Sequence, residues 1–221
     1  MKKYDFTDNW LFGEERIPVV IPHDAMLEGK RNPESINGRA KGFYDGAVYK
    51  YYKKFFAPTE WREKHIELQF EGIYRNSTVY VNGKAVGGTI YGYTPFFVCV
   101  DDIIAYGEEN EIEVLADNSE DPDSRWYSGG GIYRPVWLWI GEKEYISPEG
   151  IRIETISYDP AIIGISTGTE KECEIIVCKE NGEVICKSFG NNIQIEIPHA
   201  NLWSAETPYL YTLRAQYGKD E

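Results

Sequence analysis

Arg125, Trp126 and Tyr127 stand just ahead of Ser128 and three consecutive glycines, in the stretch SRWYSGGGIYRPVWLWI at 124 to 140. A guanidinium, an indole and a phenol side by side offer charge, an apolar face and hydrogen-bonding edges, a mixture with which a loop can hold a ligand. Gly129 to Gly131 permit a sharp approach that residues with a Cβ resist, so the three side chains are expected on a flexible loop leading into a strand. The strand follows at once. Val136, Leu138 and Ile140 recur with period two and are expected to face a core, with Trp137 and Trp139 on the other side.

The other reactive groups are few. The cysteines are Cys99, Cys173, Cys178 and Cys186, and three of them surround the turn ENGE. If Asn181-Gly182 is a two-residue hairpin loop, Cys186 lies opposite Val177 and Cys178 opposite Ile185, so those two thiols point to different faces and are not bridged. The histidines, His23, His65 and His199, do not fall at ligand spacing with a cysteine. Buried free thiols are therefore expected, with no metal.

Short alternating runs supply the elements that must position these groups: Ile66, Leu68 and Phe70; Val79 and Val81; Ile112 and Val114; Ile151 and Ile153; Ile193, Ile195 and Ile197; Tyr209, Tyr211 and Leu213. Asn82-Gly83, YGEEN at 106 to 110 and Asn181-Gly182 punctuate them as turns, and no sustained 3.6-residue period competes. The expectation is an all-β chain. Within GEKEYISPEG at 141 to 150, Pro148 and Gly150 mark a boundary near residue 145. Residues 1–145 exceed a seven-stranded immunoglobulin-like unit and suit a jelly roll, while 146–221 are about the size of an immunoglobulin-like sandwich.

A formal charge of −13 over 221 residues sets the chain against phosphate backbones and anionic lipid, so neither nucleic acid nor a membrane is an expected partner. No apolar run reaches the roughly 18 to 20 residues of a membrane span, and MKKYDFTDNW lacks the apolar core of a signal peptide. A cytoplasmic location is expected.

Seven segments, taken in order, resemble glycoside hydrolase family 2, the β-galactosidases, β-glucuronidases and β-mannosidases. They are IPHD (21 to 24), YKKF (52 to 55), LQFEGIYRNSTVYVNGKAVGG (68 to 88), GYTPF (92 to 96), NEIEVLADN (110 to 118), SRWYSGGGIYRPVWL (124 to 138) and LWSAETPYLYTL (202 to 213). The resemblance implies a galactose-binding-like jelly roll followed by an immunoglobulin-like sandwich. It also implies that the chemistry belongs to a separate (β/α)₈ barrel bearing two glutamates, beyond YGKDE at 217 to 221, so this chain is expected to be inactive alone and to act on a β-glycoside only together with that barrel. A retaining mechanism needs two carboxyls about 5 to 5.5 Å apart. Asn110-Glu111 imitates the family's catalytic pair, but its turn-to-strand position explains it.

In such enzymes jelly-roll loops help to shape the sugar pocket. Sugars are held by aromatic faces against C–H surfaces and by polar groups on vicinal hydroxyls, and Asp123, Arg125, Trp126 and Tyr127 offer both. Relatives place an aspartate two positions before the tryptophan, where this chain has Ser124, with Asp123 one step away. Asp45, in FYDGAVY, lies on a second such loop. Arg134 is expected to be structural and His23 a satisfied hydrogen-bonding residue, and Asn76-Ser77-Thr78, though a glycosylation pattern, reads as a sheet position. No cofactor is implied. The alternatives are a free-standing carbohydrate-binding module or lectin, and a structural interaction sandwich.

Overall fold

The protein is described from a computed structural model, which covers residues 1–120, 126–147 and 149–219. It separates into two compact units, Lys3–Ile140 and Gly141–Glu221, the latter including Met1–Lys2.

Ten strands build the first unit: β1 (Lys2–Asp5), β2 (Trp10–Phe12), β3 (Ile17–Val19), β4 (Val48–Ala57), β5 (Lys64–Phe70), β6 (Ser77–Val81), β7 (Lys84–Thr89), β8 (Phe96–Cys99), β9 (Glu108–Asp117) and β10 (Val136–Glu142). They form a six-stranded sheet in the order β3-β2-β4-β9-β6-β7 and a four-stranded sheet in the order β1-β10-β5-β8. Alternation explains why the two sheets enclose one core. Ile66, Leu68, Phe70, Val136 and Leu138 come from the smaller sheet, and Tyr51, Val79, Val81, Ile112 and Val114 from the larger, all buried in a single cluster. Trp137 and Trp139 lie on the opposite face of β10, half-buried, donating through Nε1 to Glu71 and Gln69 at 2.6 and 2.8 Å. This is the galactose-binding-like sandwich expected for a jelly roll.

Asn82 and Gly83 both have positive φ, 50° and 77°, which closes the β6–β7 hairpin with two residues. The Asn82 side chain also ties this turn to β9, accepting from the Glu111 amide at 3.0 Å and donating to Asn110 at 2.7 Å. Asn110 is buried and holds the Ala105 amide and carbonyl, while Glu111 accepts two hydrogen bonds from Arg16, at 2.6 and 3.1 Å. Both side chains are committed to turn and strand, as their position implied.

The second unit holds β11 (Arg152–Tyr158), β12 (Ala161–Ser166), β13 (Cys173–Cys178), β14 (Val184–Gly190), β15 (Asn192–Glu196) and β16 (Thr212–Gln216). Two three-stranded sheets, β11-β12-β15 and β14-β13-β16, pack Ile165, Ile175, Val177, Ile195 and Ala215 between them. This is the immunoglobulin-like sandwich. Among the described residues no helix is long and apolar enough to cross a membrane.

Four local expectations are corrected here. The 179–183 hairpin has a three-residue loop, because the Lys179 amide bonds the Glu183 carbonyl and Gly182 takes φ 84°. A left-handed glycine closing a turn in this way adds a bulge, so Cys186 does face Val177 but Cys178 faces Val184 rather than Ile185. All four cysteines are free, yet only Cys173 and Cys178 are buried, Cys99 being exposed. Ile153 is 53% exposed on the edge strand β11, which is paired on one side only, by β12. Tyr209 and Tyr211 precede β16 rather than belong to it. Their hydroxyls accept the Glu180 and Asn201 amides at 3.3 and 2.7 Å, a use of the phenol that hydrophobic periodicity does not register.

Candidate functional site: an aromatic loop on a glycine bed

The glycines behind Trp126 and Tyr127 are buried, not a flexible hinge. Gly131 exchanges both backbone hydrogen bonds with Tyr74, at 2.8 and 2.9 Å. A Cβ on Gly131 would meet the Tyr51 hydroxyl at 2.1 Å, and one on Gly130 would meet the Tyr49 ring at 2.6 Å. Glycine is required here because the backbone lies directly on tyrosine side chains. Burial pushes the Tyr49 hydroxyl up to about 12 and the Tyr51 hydroxyl further, so both remain neutral donors.

The IPHD segment clasps this bed from the other side. The His23 amide bonds Ile132 at 2.8 Å and the Ala25 amide bonds Gly130 at 2.9 Å. Asp24 caps the short 3₁₀ turn Ala25–Glu28 by accepting from Met26, and accepts also from the Gly130 amide at 3.0 Å and the Tyr127 hydroxyl at 2.6 Å. Its two oxygens therefore fix the loop to the short turn and to the glycine bed. The same contact, after burial, raises the Tyr127 hydroxyl well above its ordinary value. His23 bridges Tyr51 and Glu28, at 2.9 and 3.3 Å.

The expected site residues divide between two neighbourhoods. Trp126 is 60% exposed and donates to the Tyr93 hydroxyl at 3.1 Å. Tyr93 in turn packs against Tyr91 and Tyr74, with ring centroids 5.5 and 5.4 Å away. Arg134 donates to the Tyr93 carbonyl at 3.1 Å and lies over the Tyr133 ring, which fastens GYTPF to the start of β10. Tyr127 instead meets Tyr44 edge-on at 6.4 Å. Tyr44 and Asp45 line a cleft with Phe12, Met26, Glu28 and Tyr49. The Asn32 amide, 2.8 Å away, holds the Asp45 carboxyl below its usual range, with help from Ser35. Asp123 and Arg125 lie outside the described residues.

Buried Asn118 joins the loops. It donates to the Gly129 carbonyl at 2.8 Å, accepts from Lys41 at 3.2 Å, and its own carbonyl sits where a Cβ on Gly46 would be, at 1.7 Å. Sequence reasoning missed Asp24, Tyr93 and Asn118 as members of this site. Each stands in a quoted motif, but only the fold brings 24, 93, 118 and 127 together. It also missed that His65 meets a cysteine, because strand pairing joins residues far apart in sequence. The surface around Trp126 and Tyr127 can stack and hydrogen-bond a ligand, and the Asp24 carboxylate beneath it is engaged in holding the loop.

The comparisons with known proteins fall on both units. Residues 23–128 match the glycosyl hydrolase 2 galactose-binding domain-like family, and residues 154–221 match glycosyl hydrolases family 2. The chain is 32% identical over 222 aligned positions to the β-galactosidase BoGH2A of Bacteroides ovatus, covering 91% of this chain and 26% of that protein. It is 31% identical to a putative β-glucuronidase of Formosa agariphila, over 89% of this chain and 20% of the relative. The structure superposes with a TM-score of 0.86 on a glycosyl hydrolase family 2 member from Bacteroides cellulosilyticus, 26% identical, covering 100% of this chain and 34% of that one. The chain spans about a quarter of the length of the curated relatives it matches.

Proposed function

Because the chain belongs to glycosyl hydrolase family 2, we propose that it is the N-terminal, non-catalytic part of a retaining β-glycosidase of the β-galactosidase or β-glucuronidase kind. In this reading the loop at Trp126 and Tyr127 and the neighbouring Asp45 cleft contribute to the sugar pocket. The second sandwich braces a catalytic barrel, and the barrel supplies both carboxyls.

One observation carries the proposal: an exposed indole is held in place by the Tyr93 hydroxyl, above a rigid glycine bed. A sugar's C–H face stacks on such a ring, and preorganisation lowers the ordering cost of binding. The apolar residues Leu202, Trp203 and Leu210 of the second unit are exposed at 54%, 62% and 65%, which suits a surface that a further domain covers.

The test uses the longer protein and this chain side by side. The longer protein should release nitrophenol from a β-galactoside or β-glucuronide with retention, and the 221-residue chain should release none. Trp126→Ala should lower kcat/KM in the longer protein about 10-fold or more, the loss of about 1.4 kcal/mol of transition-state interaction, while leaving the melting temperature nearly unchanged. Undiminished kcat/KM would remove Trp126 from the pocket. Micromolar monosaccharide binding by this chain alone would favour a lectin, since half a pocket should bind at millimolar or weaker, about 4 kcal/mol at most.

A further inference from the structure

The outer face of the four-stranded sheet carries a cluster remote in kind from the aromatic loop. Cys99 on β8 is the register partner of Glu67 on β5. Two residues further along, on the same face, His65 meets Asp101 just past the end of β8. The inward residues of this strand, Ile66 and Leu68, are fully buried in the core, so His65, Glu67, Cys99 and Asp101 all project from the opposite side. The His65 Nδ1 atom lies 3.0 Å from Asp101 Oδ2, and its Nε2 atom lies 2.9 Å from Glu67 Oε1. One donor atom each from His65, Cys99 and Asp101 falls within 4.8 Å of the others.

We propose that His65, Cys99 and Asp101 form a binding site for a first-row divalent cation of the zinc type, with Glu67 as the outer partner of the histidine. A nitrogen, a sulfur and an oxygen donor suit zinc better than magnesium or calcium, which select oxygen. Tetrahedral bonds of about 2.0 to 2.3 Å place donors about 3.3 to 3.8 Å apart, so donors up to 4.8 Å apart close by about 1.5 Å at most, and the Nδ1–Oδ2 pair at 3.0 Å opens slightly. Two features preorganise it. The Ile66 amide donates to Asp101 Oδ1 at 2.6 Å, leaving Oδ2 toward the imidazole. Glu67 on Nε2 would orient the ring for coordination through Nδ1, the histidine–carboxylate arrangement that surrounds bound metals. Exposed Cys99 provides the way in. Coordination releases the thiol proton and the proton between Nδ1 and Oδ2, and clips edge strand β8 to β5.

Cobalt(II) titrated into the reduced chain reports the geometry directly. The expected result is one equivalent bound at about 10 μM or tighter, with a thiolate-to-metal charge-transfer band and visible d–d bands of tetrahedral intensity, both abolished by one equivalent of zinc. Cys99→Ala, at an exposed position, should remove the charge-transfer band and weaken binding 100-fold or more. Glu67→Gln should keep the band while weakening binding about 10- to 100-fold. Absence of a charge-transfer band at millimolar cobalt would overturn the proposal. So would a band that survives Cys99→Ala, because it would belong to Cys173, Cys178 or Cys186.

Discussion

Two glycine-marked turns of the first sandwich look alike in sequence and differ in what glycine does there. At Asn82-Gly83 a Cβ on the glycine would meet open space, and the residue is needed for its φ of 77° alone. At Gly129 to Gly131 the backbone lies on Tyr49, Tyr51 and Asp24, and a Cβ would collide. The first glycine serves the chain's direction, the second a close approach that fixes the aromatic loop above it. A glycine run beside aromatic residues can thus signal rigidity rather than freedom.

The largest effect should come from Gly131→Ala, which combines a φ of 88° with a 2.1 Å approach to the Tyr51 hydroxyl. Overpacking and left-handed strain together should cost about 3 kcal/mol or more, read by urea unfolding of the first unit. A loss under about 1 kcal/mol would mean that the tyrosine bed yields, and the contrast would collapse. Gly83→Ala sharpens the contrast from the other side. Strain without collision should cost about 1 kcal/mol. Equal costs at the two sites would show that φ, not packing, governs both.

The smallest effect lies where the Asn82 turn meets β9. The Arg16 hydrogen bonds hold the Glu111 carboxyl below its ordinary value of 4.5. A carboxyl whose folded value is depressed contributes stability that is present above the unfolded value and is lost as pH falls through the folded one. Arg16→Gln should therefore destabilise slightly at pH 7, and the difference from the parent protein should shrink as pH falls below about 4. A difference that persists unchanged at low pH would assign the effect to the packing of Arg16 over the Tyr52 ring, 4.2 Å from its centroid.

Much of the architecture was legible because it depends on period and on turn chemistry, both local. Ile66, Leu68 and Phe70 alternate into the core, Val136 and Leu138 do the same, and Asn82-Gly83 closes its hairpin with two residues as the dipeptide demands. Legibility failed where a second structure entered. The ENG turn took a third loop residue and shifted Cys178 by one, and Ile153 alternates correctly yet stays exposed on an edge strand paired on one side only. Of the expected site residues, Trp126 and Tyr127 do stand exposed at the loop, but they turn to different partners, Tyr93 and Asp24.

The sequence by itself determined that the chain is all-β, where its turns fall and which family its motifs match, because those follow from neighbouring residues and their alternation. Only the tertiary structure decided that Asp24, Asn118 and Tyr51 hold the glycine bed, and that His65 meets Cys99 and Asp101. Those groups are separated by tens of residues along the chain. Their meeting depends on strand register and sheet order, which no local pattern encodes.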